Sequence, residues 1–386
     1  MSAFTDSIRL GIRQLSERRL YIFAMTVVPI ACTLFFMSFM DAGLPLHTPV
    51  GIVDKDLTPT SRKVTRMLNA EELLDITLHH DSYAEAMDAV RRGESFGFFV
   101  IPEHFERDAI TGKNPSLSLY VNMSFFVPGT LSFKGFKTGA VLTTGSIAQT
   151  RLTAIGLNDD ATQALLQPVS INTNSIGNPW TNYNYYLTNS FMPALLQLMI
   201  MLITAYTVTQ EIKYRTSVRW LRTAGGSIFT AVAGKLLPQT VVFLLTGMAM
   251  LGLLFGFGHF PLNSSILPIA AAMALMVVAS QALGLFLCCI LPNPRLALSI
   301  AALTGILTFS IAAFSYPVPS MYGAVGIFSY VLPVRYYFLI YIGQALNGLP
   351  VYYSRWFFAA LLAFPAITAC VLPMLKRTCL KPVYVP

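Results

Sequence analysis

The sequence predicts an α-helical membrane protein with six transmembrane helices, an inserted extracytoplasmic α/β domain, and a re-entrant helical hairpin before the last span. Hydrophobic residues make up 54% of the 386 residues and charged residues only 11%, whereas an average soluble domain is about 25% charged. Six apolar segments come close to the ~20 residues that cross about 30 Å of hydrocarbon. The more polar residues 41–186 separate the first of these segments from the other five.

The predicted spans follow the apolar segments in chain order. They are Leu20–Met40, Tyr186–Val208, Leu236–Phe257, Ile266–Leu291, Leu296–Phe314 and Trp356–Leu375. Residues 1–19 are predicted to form a cytoplasmic amphipathic helix, 20–40 the first transmembrane helix, 187–375 the second to sixth, and 376–386 a cytoplasmic tail. The first span is too long for the apolar part of a cleaved signal peptide and lacks a small-residue cleavage site.

Clusters of Lys and Arg predict the orientation of the spans, because such residues concentrate on the cytoplasmic side. They precede span one, lie between spans two and three, separate spans four and five, and follow span six: Arg9, Arg13, Arg18 and Arg19; Lys213, Arg215, Arg219, Arg222 and Lys235; Arg295; Lys376, Arg377 and Lys381. Both termini are therefore predicted to be cytoplasmic and residues 41–186 extracytoplasmic. That outer segment has 11 Lys and Arg against 15 Asp and Glu, so the net charge of +8 belongs to the membrane-flanking parts. Membrane lipids, and not nucleic acid, are the expected partners of this charge.

Residues 41–186 show the short apolar runs and capped helices that are typical of a small α/β domain. The predicted strands are Val50–Asp54, Leu74–His80, Phe96–Ile101 and Ser116–Asn122, and the predicted helices run from Thr58 to about Asn69, from Ser82 to Gly93, and over Pro102–Gly112. Thr58 and Pro59 suit an N-cap and a first helical turn, and Ser82 with Glu85 predicts a capping box. The weaker pattern from Phe125 to about Gln167 predicts a helical stalk.

No catalytic, cofactor-binding or metal-ligating set is predicted. Asp54 and Asp56 follow a strand, where metal ligands often lie, but they also suit a turn and a helix cap, which is the simpler interpretation. His79, His80 and Asp81 are a second metal candidate. Adjacent histidines on a strand point to opposite faces, however, so one site rarely uses both.

The most charged run in the second half of the chain is QEIKYRTSVRWLRTAGGS, residues 210–227. Residues 210–222 are predicted to form one helix with Val218 and Leu221 on one side and basic residues around the rest. Trp220 suits an interfacial position. The run is either a basic interfacial loop or a docking element for a cytoplasmic partner, and periodicity alone favours the loop.

Residues 315–348 are apolar but interrupted by Pro317, Pro333 and several glycines, which predicts two short re-entrant half-helices on the outer side. Arg335 is the one cation in this stretch. It is either a contact for an anionic headgroup or glycan phosphate, or an arginine that snorkels or caps carbonyl groups. The sequence favours the second interpretation.

These features resemble permease subunits of the type-2 ABC exporter family, in the branch with a large extracytoplasmic domain between spans one and two. The likeness covers nearly the whole chain. The family motif E-x3-G-T-x4-L followed by G-K corresponds here to Glu211, Arg215, Thr216, Leu221 and Gly234-Lys235. Asn178-Pro179, Pro193, "VGIVDKD", "GFFVIPEHF" and a hairpin element at Pro333 and Tyr336 also match.

Three positions depart from the family pattern. Arg215 stands where the family usually has glycine, Arg219 where a residue is often acidic, and Ala224-Gly225 where proline is usual. The departures indicate that the partner surface of this chain has a different charge pattern.

The resemblance implies that residues 210–227 form a coupling helix that docks on a separate ABC ATPase. The implied coupling residues are Glu211, Arg215, Thr216, Arg219, Trp220, Leu221 and Lys235, and the implied substrate-path residues are Pro317, Pro333, Arg335 and Tyr336. This chain lacks the GxxxxGK[ST] loop that cradles phosphates, so ATP and Mg²⁺ are expected on the partner. A homodimer or heterodimer with a similar permease, a periplasmic adaptor, and localisation in the cytoplasmic (inner) membrane are also implied. The exported substrate would be a hydrophobic or amphipathic small molecule, a lipid or a glycan.

Two other function classes remain open from the sequence. A receptor or scaffold would bind a ligand with the outer domain and would not transport. A membrane-embedded transferase acting on lipid would need acidic residues at the membrane surface, and outside residues 41–186 the only ones are Asp6, Glu17 and Glu211, all predicted to be cytoplasmic.

Overall fold

The computed structural model describes residues 3–154, 156, 162, 177–179, 181–312 and 316–381. The chain divides into two compact units. Leu44–Asn174 form one, here named the α/β unit, and Met1–Gly43 with Ser175–Pro386 form the other, here named the helical unit.

Six helices among the described residues are long and apolar enough to cross a membrane, which is the number that the sequence predicts. Spans one to six are Arg19–Phe39, Tyr183–Lys213, Ile228–Phe257, Ile266–Ile290, Pro294–Ile311 and Val351–Leu380. Wider π-helical turns occur in span one at Phe23–Val27 and at the end of span three at Gly252–Phe257. Two further helices flank the spans: the N-terminal helix, Ala3–Glu17, and the connecting helix, Ser217–Thr223, which lies between spans two and three.

The predicted re-entrant segment forms two helices that meet at a bend of 81°. This bent pair consists of Gly323–Ser329 and Pro333–Leu346, of which Ile342–Leu346 are π-helical. A short 3₁₀ turn, Val318–Ser320, precedes it. Proline at the start of the second helix fits the bend, because proline suits a first helical turn and cannot continue a preceding helix.

Spans two and four form the centre of the helical unit. In an 18-residue apolar stretch of each, 61% and 67% of the residues are buried, against 22–33% in the other four spans. Met192, Ile200, Met273 and Met276 belong to the resulting core. A Cβ atom on Gly284 of span four would lie 3.1 Å from the backbone of Met201, so glycine permits close approach of the two helices there.

The α/β unit contains a four-stranded sheet in the order β2-β1-β3-β4. The strands are β1 (Thr48–Asp54), β2 (Leu74–His79), β3 (Gly97–Ile101) and β4 (Ser118–Val121). β1 pairs in parallel with β2 and β3, and β4 is antiparallel to β3. The helices are Pro59–Asn69, Tyr83–Arg92, Phe105–Thr111 and Phe126–Ala154. The predicted stalk therefore begins as a long helix, and its continuation to about Gln167 lies outside the described residues except for Gly156 and Thr162.

Both faces of the central strands are covered, as the continuous apolar run of β3 predicts. On one face Phe99 packs with Val64 and Leu68 of helix Pro59–Asn69. On the other face Phe98 packs with Ala86 and Val90 of helix Tyr83–Arg92. Crossover helices on both faces of parallel strands produce this two-sided burial.

The predicted capping box of helix Tyr83–Arg92 is only half present. The Ser82 hydroxyl accepts the N–H of Glu85 at 3.2 Å, but the Glu85 carboxylate accepts the N–H of Asp81 and not that of Ser82. That hydrogen bond, with a smaller contribution from His80, lowers the pKa of Glu85. A complete box joins Thr58 and Ser61 at the start of helix Pro59–Asn69.

Asp54 and Asp56 act as turn and cap residues. Asp54 accepts the N–H groups of Asp56 and Leu57 and the hydroxyl of Ser61. Asp56 accepts the N–H of Glu106 at 3.0 Å. Both carboxylates therefore accept hydrogen bonds from backbone and side-chain groups near the end of β1. This agrees with the interpretation of Asp54 and Asp56 as turn and cap residues.

Candidate functional site

The run 210–227 is not one helix, so the prediction of a continuous helix over 210–222 is wrong. Span two ends at Lys213, and the connecting helix begins at Ser217. Between them Arg215 has a left-handed backbone conformation with φ of +57°. Glycine adopts this conformation without steric cost, which explains why a glycine suits the position where this chain has arginine.

A buried ion pair joins the ends of spans two and three. Lys235 Nζ lies 2.5 Å from Oε1 of Glu211, and the two side chains are only 5% and 6% exposed. Two basic residues, Lys213 and Arg215, are closer to Glu211 in the sequence. In the structure the partner is Lys235, one helix away, whereas Lys213 and Arg215 are exposed.

Three further side chains complete the environment of this pair. Gln14 of the N-terminal helix donates to Oε1 of Glu211 at 2.8 Å, and the Thr216 hydroxyl donates to Oε2. The Lys235 ammonium lies 5.0 Å from the centre of the Trp220 ring, within reach of a cation–π interaction. A buried carboxylate and ammonium with these partners satisfy each other, which is the condition for keeping charge in a low-dielectric interior.

The N-terminal helix packs closely on span three beside the ion pair. A Cβ atom on Gly11 would lie 2.5 Å from the carbonyl oxygen of Gly234, and one on Gly234 would overlap Ser7. The Ser7 hydroxyl also donates to the carbonyl oxygen of Thr230 at 3.2 Å. The glycine before Lys235 therefore has a packing role, because any side chain there would separate the two helices.

The connecting helix has a buried face and an exposed face. Trp220 and Leu221 are each 2% exposed, and the Ser217 hydroxyl donates to the carbonyl oxygen of Cys379 in span six at 2.8 Å. The predicted interfacial position of Trp220 is therefore wrong. Arg219 and Arg222 lie on the exposed face.

The coupling residues that the resemblance implies thus fall into two groups. Glu211, Lys235, Trp220 and Leu221 are buried, and the Thr216 hydroxyl bonds to this group; Arg215 and Arg219 are exposed. A cavity of about 310 Å³ adjoins the buried group and is lined in part by Gln14, Arg18 and Tyr21.

The bent pair forms a second region of interest beside the middle of span two. Oε1 of Gln197 accepts the N–H of Val334 at 2.8 Å, and its Nε2 donates to Thr308 of span five at 3.1 Å. Pro333 begins the second helix of the bent pair and is buried. Pro317 is exposed at the start of the 3₁₀ turn.

Arg335 lies in the first turn of that second helix and is 8% exposed. Its guanidinium carbon lies 4.6 Å from the centre of the Tyr330 ring, and the Tyr336 hydroxyl donates to the carbonyl oxygen of Tyr330 at 2.9 Å. Nε and Nη1 are buried and have no hydrogen-bond partner in the described part of the chain. Carbonyl capping, one of the two roles in the favoured interpretation, is therefore wrong for these two nitrogens.

Gln14 and Gln197 belong to these two regions although the sequence did not single them out. Both form hydrogen bonds with groups on other helices. The partner of Gln14 is 197 residues away in the sequence, and the two partners of Gln197 are 111 and 137 residues away. A glutamine within a predicted span is a signal for Gln197, since an amide in hydrocarbon needs a partner. Among the residues that the structure describes, no group of three or more His, Cys, Asp or Glu is placed to hold a metal ion.

Six candidate spans define a multi-pass membrane protein. Residues 19–372 match the family model described as ABC-2 family transporter protein, and the chain belongs to this family. It is accordingly a permease subunit of an ABC transport system, a type of subunit that is typically not catalytic itself, and its family implies an ABC ATPase as partner. A comparison with curated proteins found no match.

Proposed function

We propose that this permease subunit belongs to an export system and that its connecting helix docks on the ATPase. The observation that carries the proposal is the buried ion pair between Glu211 and Lys235, together with its contacts to Gln14, Thr216 and Trp220. These contacts make the connecting helix, the N-terminal helix and the ends of spans two and three one packed body.

Such a body suits the transmission of movement. Ser217 extends it to span six through the carbonyl of Cys379. A push on the connecting helix would therefore move several helices together, because packed interfaces shift as rigid elements and do not deform continuously. The exposed Arg219 and Arg222 supply charge that a partner surface can complement, which favours one partner over others.

The proposal includes the orientation and the assembly. We propose that the connecting helix and both termini are cytoplasmic and that the α/β unit is extracytoplasmic. The basic residues at the connecting helix support this orientation under the positive-inside rule. This arrangement corresponds to the family branch with a large outer domain. We further propose a homodimer or a heterodimer with a similar permease in the inner membrane, ATP and Mg²⁺ on the ATPase, and an adaptor that contacts the α/β unit.

Charge reversal on the exposed face is expected to weaken ATPase binding. In Arg219→Glu the new carboxylate meets a partner surface that complements a cation, and like-charge contacts cost several kcal/mol. We expect about a tenfold or larger loss of the ATPase that co-purifies with the tagged permease from its host membranes. The measurement is the ratio of ATPase to permease after purification at low salt.

Lys63→Glu is the matched control, because Lys63 is an exposed cation on the α/β unit. It should leave the ratio unchanged. Equal ratios for wild type and Arg219→Glu, or no co-purifying ATPase with the wild type, would contradict docking by this face. The receptor or scaffold alternative predicts the latter result.

A further inference from the structure

We infer that Arg335 binds the anionic group of an amphiphile whose apolar part occupies the adjoining cavity. The inference rests on the proposed function, since it names the chemical class of the exported molecule. Arg335 is more than nine-tenths buried, and its Nε and Nη1 have no hydrogen-bond partner among the described residues. Guanidinium is permanently charged and offers five donors, so a buried one with unused donors is costly without an acceptor.

The position of Arg335 in the spans increases this cost. The adjacent Val334 is hydrogen-bonded to Gln197, which lies near the middle of the 31-residue helix Tyr183–Lys213. A cation buried among membrane-spanning helices is expensive and typically marks a substrate or ion path. Tyr330 contacts the guanidinium face at 4.6 Å, but ring contact leaves the in-plane N–H donors unused.

An apolar cavity of about 270 Å³ adjoins the same two tyrosines. Its wall includes Tyr330 from the break in the bent pair and Tyr336 from the second helix of that pair. Spans four and six contribute Leu283, Phe286, Phe364 and Ile367. The Tyr336 ring also packs against Phe364, with ring centres 6.1 Å apart. Arg335 is not part of the cavity wall, but its guanidinium contacts Tyr330, which is. A cation one tyrosine ring away from an apolar cavity complements a molecule with an anionic head, phosphate or carboxylate, and a hydrocarbon or aromatic body.

Binding is measured on the full-length permease in nanodiscs of zwitterionic lipid, without the ATPase. The probes are a fluorescent lysophosphatidate, a monoacylglycerol with the same chain, and inorganic phosphate as a competitor. We expect the wild type to bind lysophosphatidate at least tenfold tighter than monoacylglycerol, because a charge-assisted hydrogen bond contributes about this factor. Millimolar phosphate should not displace the probe, since the cavity binds the chain.

Arg335→Gln is expected to remove the preference for the phosphate probe, and Arg355→Gln to retain it. Arg355 is the matched control, because its guanidinium also stacks on a tyrosine, Tyr352 at 3.9 Å, but is exposed. A wild type without preference, or an Arg335→Gln variant that keeps it, would overturn the inference. Where Arg335→Gln does not fold, Arg335→Lys decides: binding weakened several-fold supports the site, and unchanged affinity overturns it.

A transport experiment distinguishes a lipid that only resides in the site from a molecule that the permease exports. The purified complex with its ATPase, in vesicles, should move the lysophosphatidate probe outward in an ATP-dependent manner and lose this activity in Arg335→Gln. Arg335-dependent binding with export of other molecules only would overturn the assignment of the exported class. Arg335-dependent binding without any ATP-dependent export would instead contradict the proposed export function and leave the site in place.

Discussion

Lys235→Met is expected to destabilise the permease by about 3–5 kcal/mol, because it leaves the Glu211 carboxylate buried without its counter-charge. The methionine fills much of the volume of the lysine stem, so the loss of charge dominates over loss of packing. Transport and stimulation of the ATPase should also be lost, since the connecting helix is no longer fixed to span three. Thermal unfolding of the detergent-purified protein measures the first effect, and vesicle transport the second.

The double variant Glu211→Gln with Lys235→Met provides the control for this prediction. Removing both charges is expected to restore much of the stability, because a neutral buried pair has no unpaired charge. Lys213→Met, which removes an exposed cation at the end of span two, should have little effect. Equal stabilities for Lys235→Met and Lys213→Met would show that the ion pair does not stabilise the site.

Gly234→Ala is expected to destabilise the protein by about 1–3 kcal/mol, the usual cost of overpacking. Within a helix, glycine to alanine normally stabilises by about 1 kcal/mol, so the sign here reports the steric overlap with Ser7. The new methyl group should separate the N-terminal helix from span three and weaken the bond between Gln14 and Glu211. Thermal unfolding and transport are the measurements.

Gly252→Ala is the matched control in the same span, because a Cβ atom there has no neighbour within 4 Å among the described residues. It should be neutral or stabilising. A Gly234→Ala variant as stable and as active as Gly252→Ala would contradict the close packing of the N-terminal helix on span three.

Apolar length and local capping predict much of the fold. The span that the sequence places at Ile266–Leu291 is the helix Ile266–Ile290, because the segment carries no charge and its one amide, Gln281, accepts the Thr240 hydroxyl of span three. Ser82 and Gly93 likewise bound the helix Tyr83–Arg92 as predicted. Span two extends beyond its predicted end at Val208 to Lys213, since Glu211 is paired inside the protein and does not require solvent.

The candidate site was harder to predict, because its contacts join residues that are distant in the sequence. Its residue type suits Trp220 to an interfacial position, yet Trp220 is buried, with its ring centre 5.0 Å from the Lys235 ammonium. Helix propensity does not predict the turn at Arg215, because arginine favours helices and adopts a positive φ only at an energetic cost. The environment of Arg335 could not be predicted either. Whether its guanidinium caps carbonyl groups or is buried without a partner depends on tertiary contacts, which the sequence does not show.

Photo-crosslinking from the connecting helix tests the docking proposal most directly. A benzophenone amino acid at position 219 in host membranes is expected to form an adduct with the ABC ATPase. The same group at position 220, whose side chain is buried, should form none. Absence of an ATPase adduct from positions 219 and 222, in membranes where the ATPase co-purifies with the permease, would contradict docking by the connecting helix.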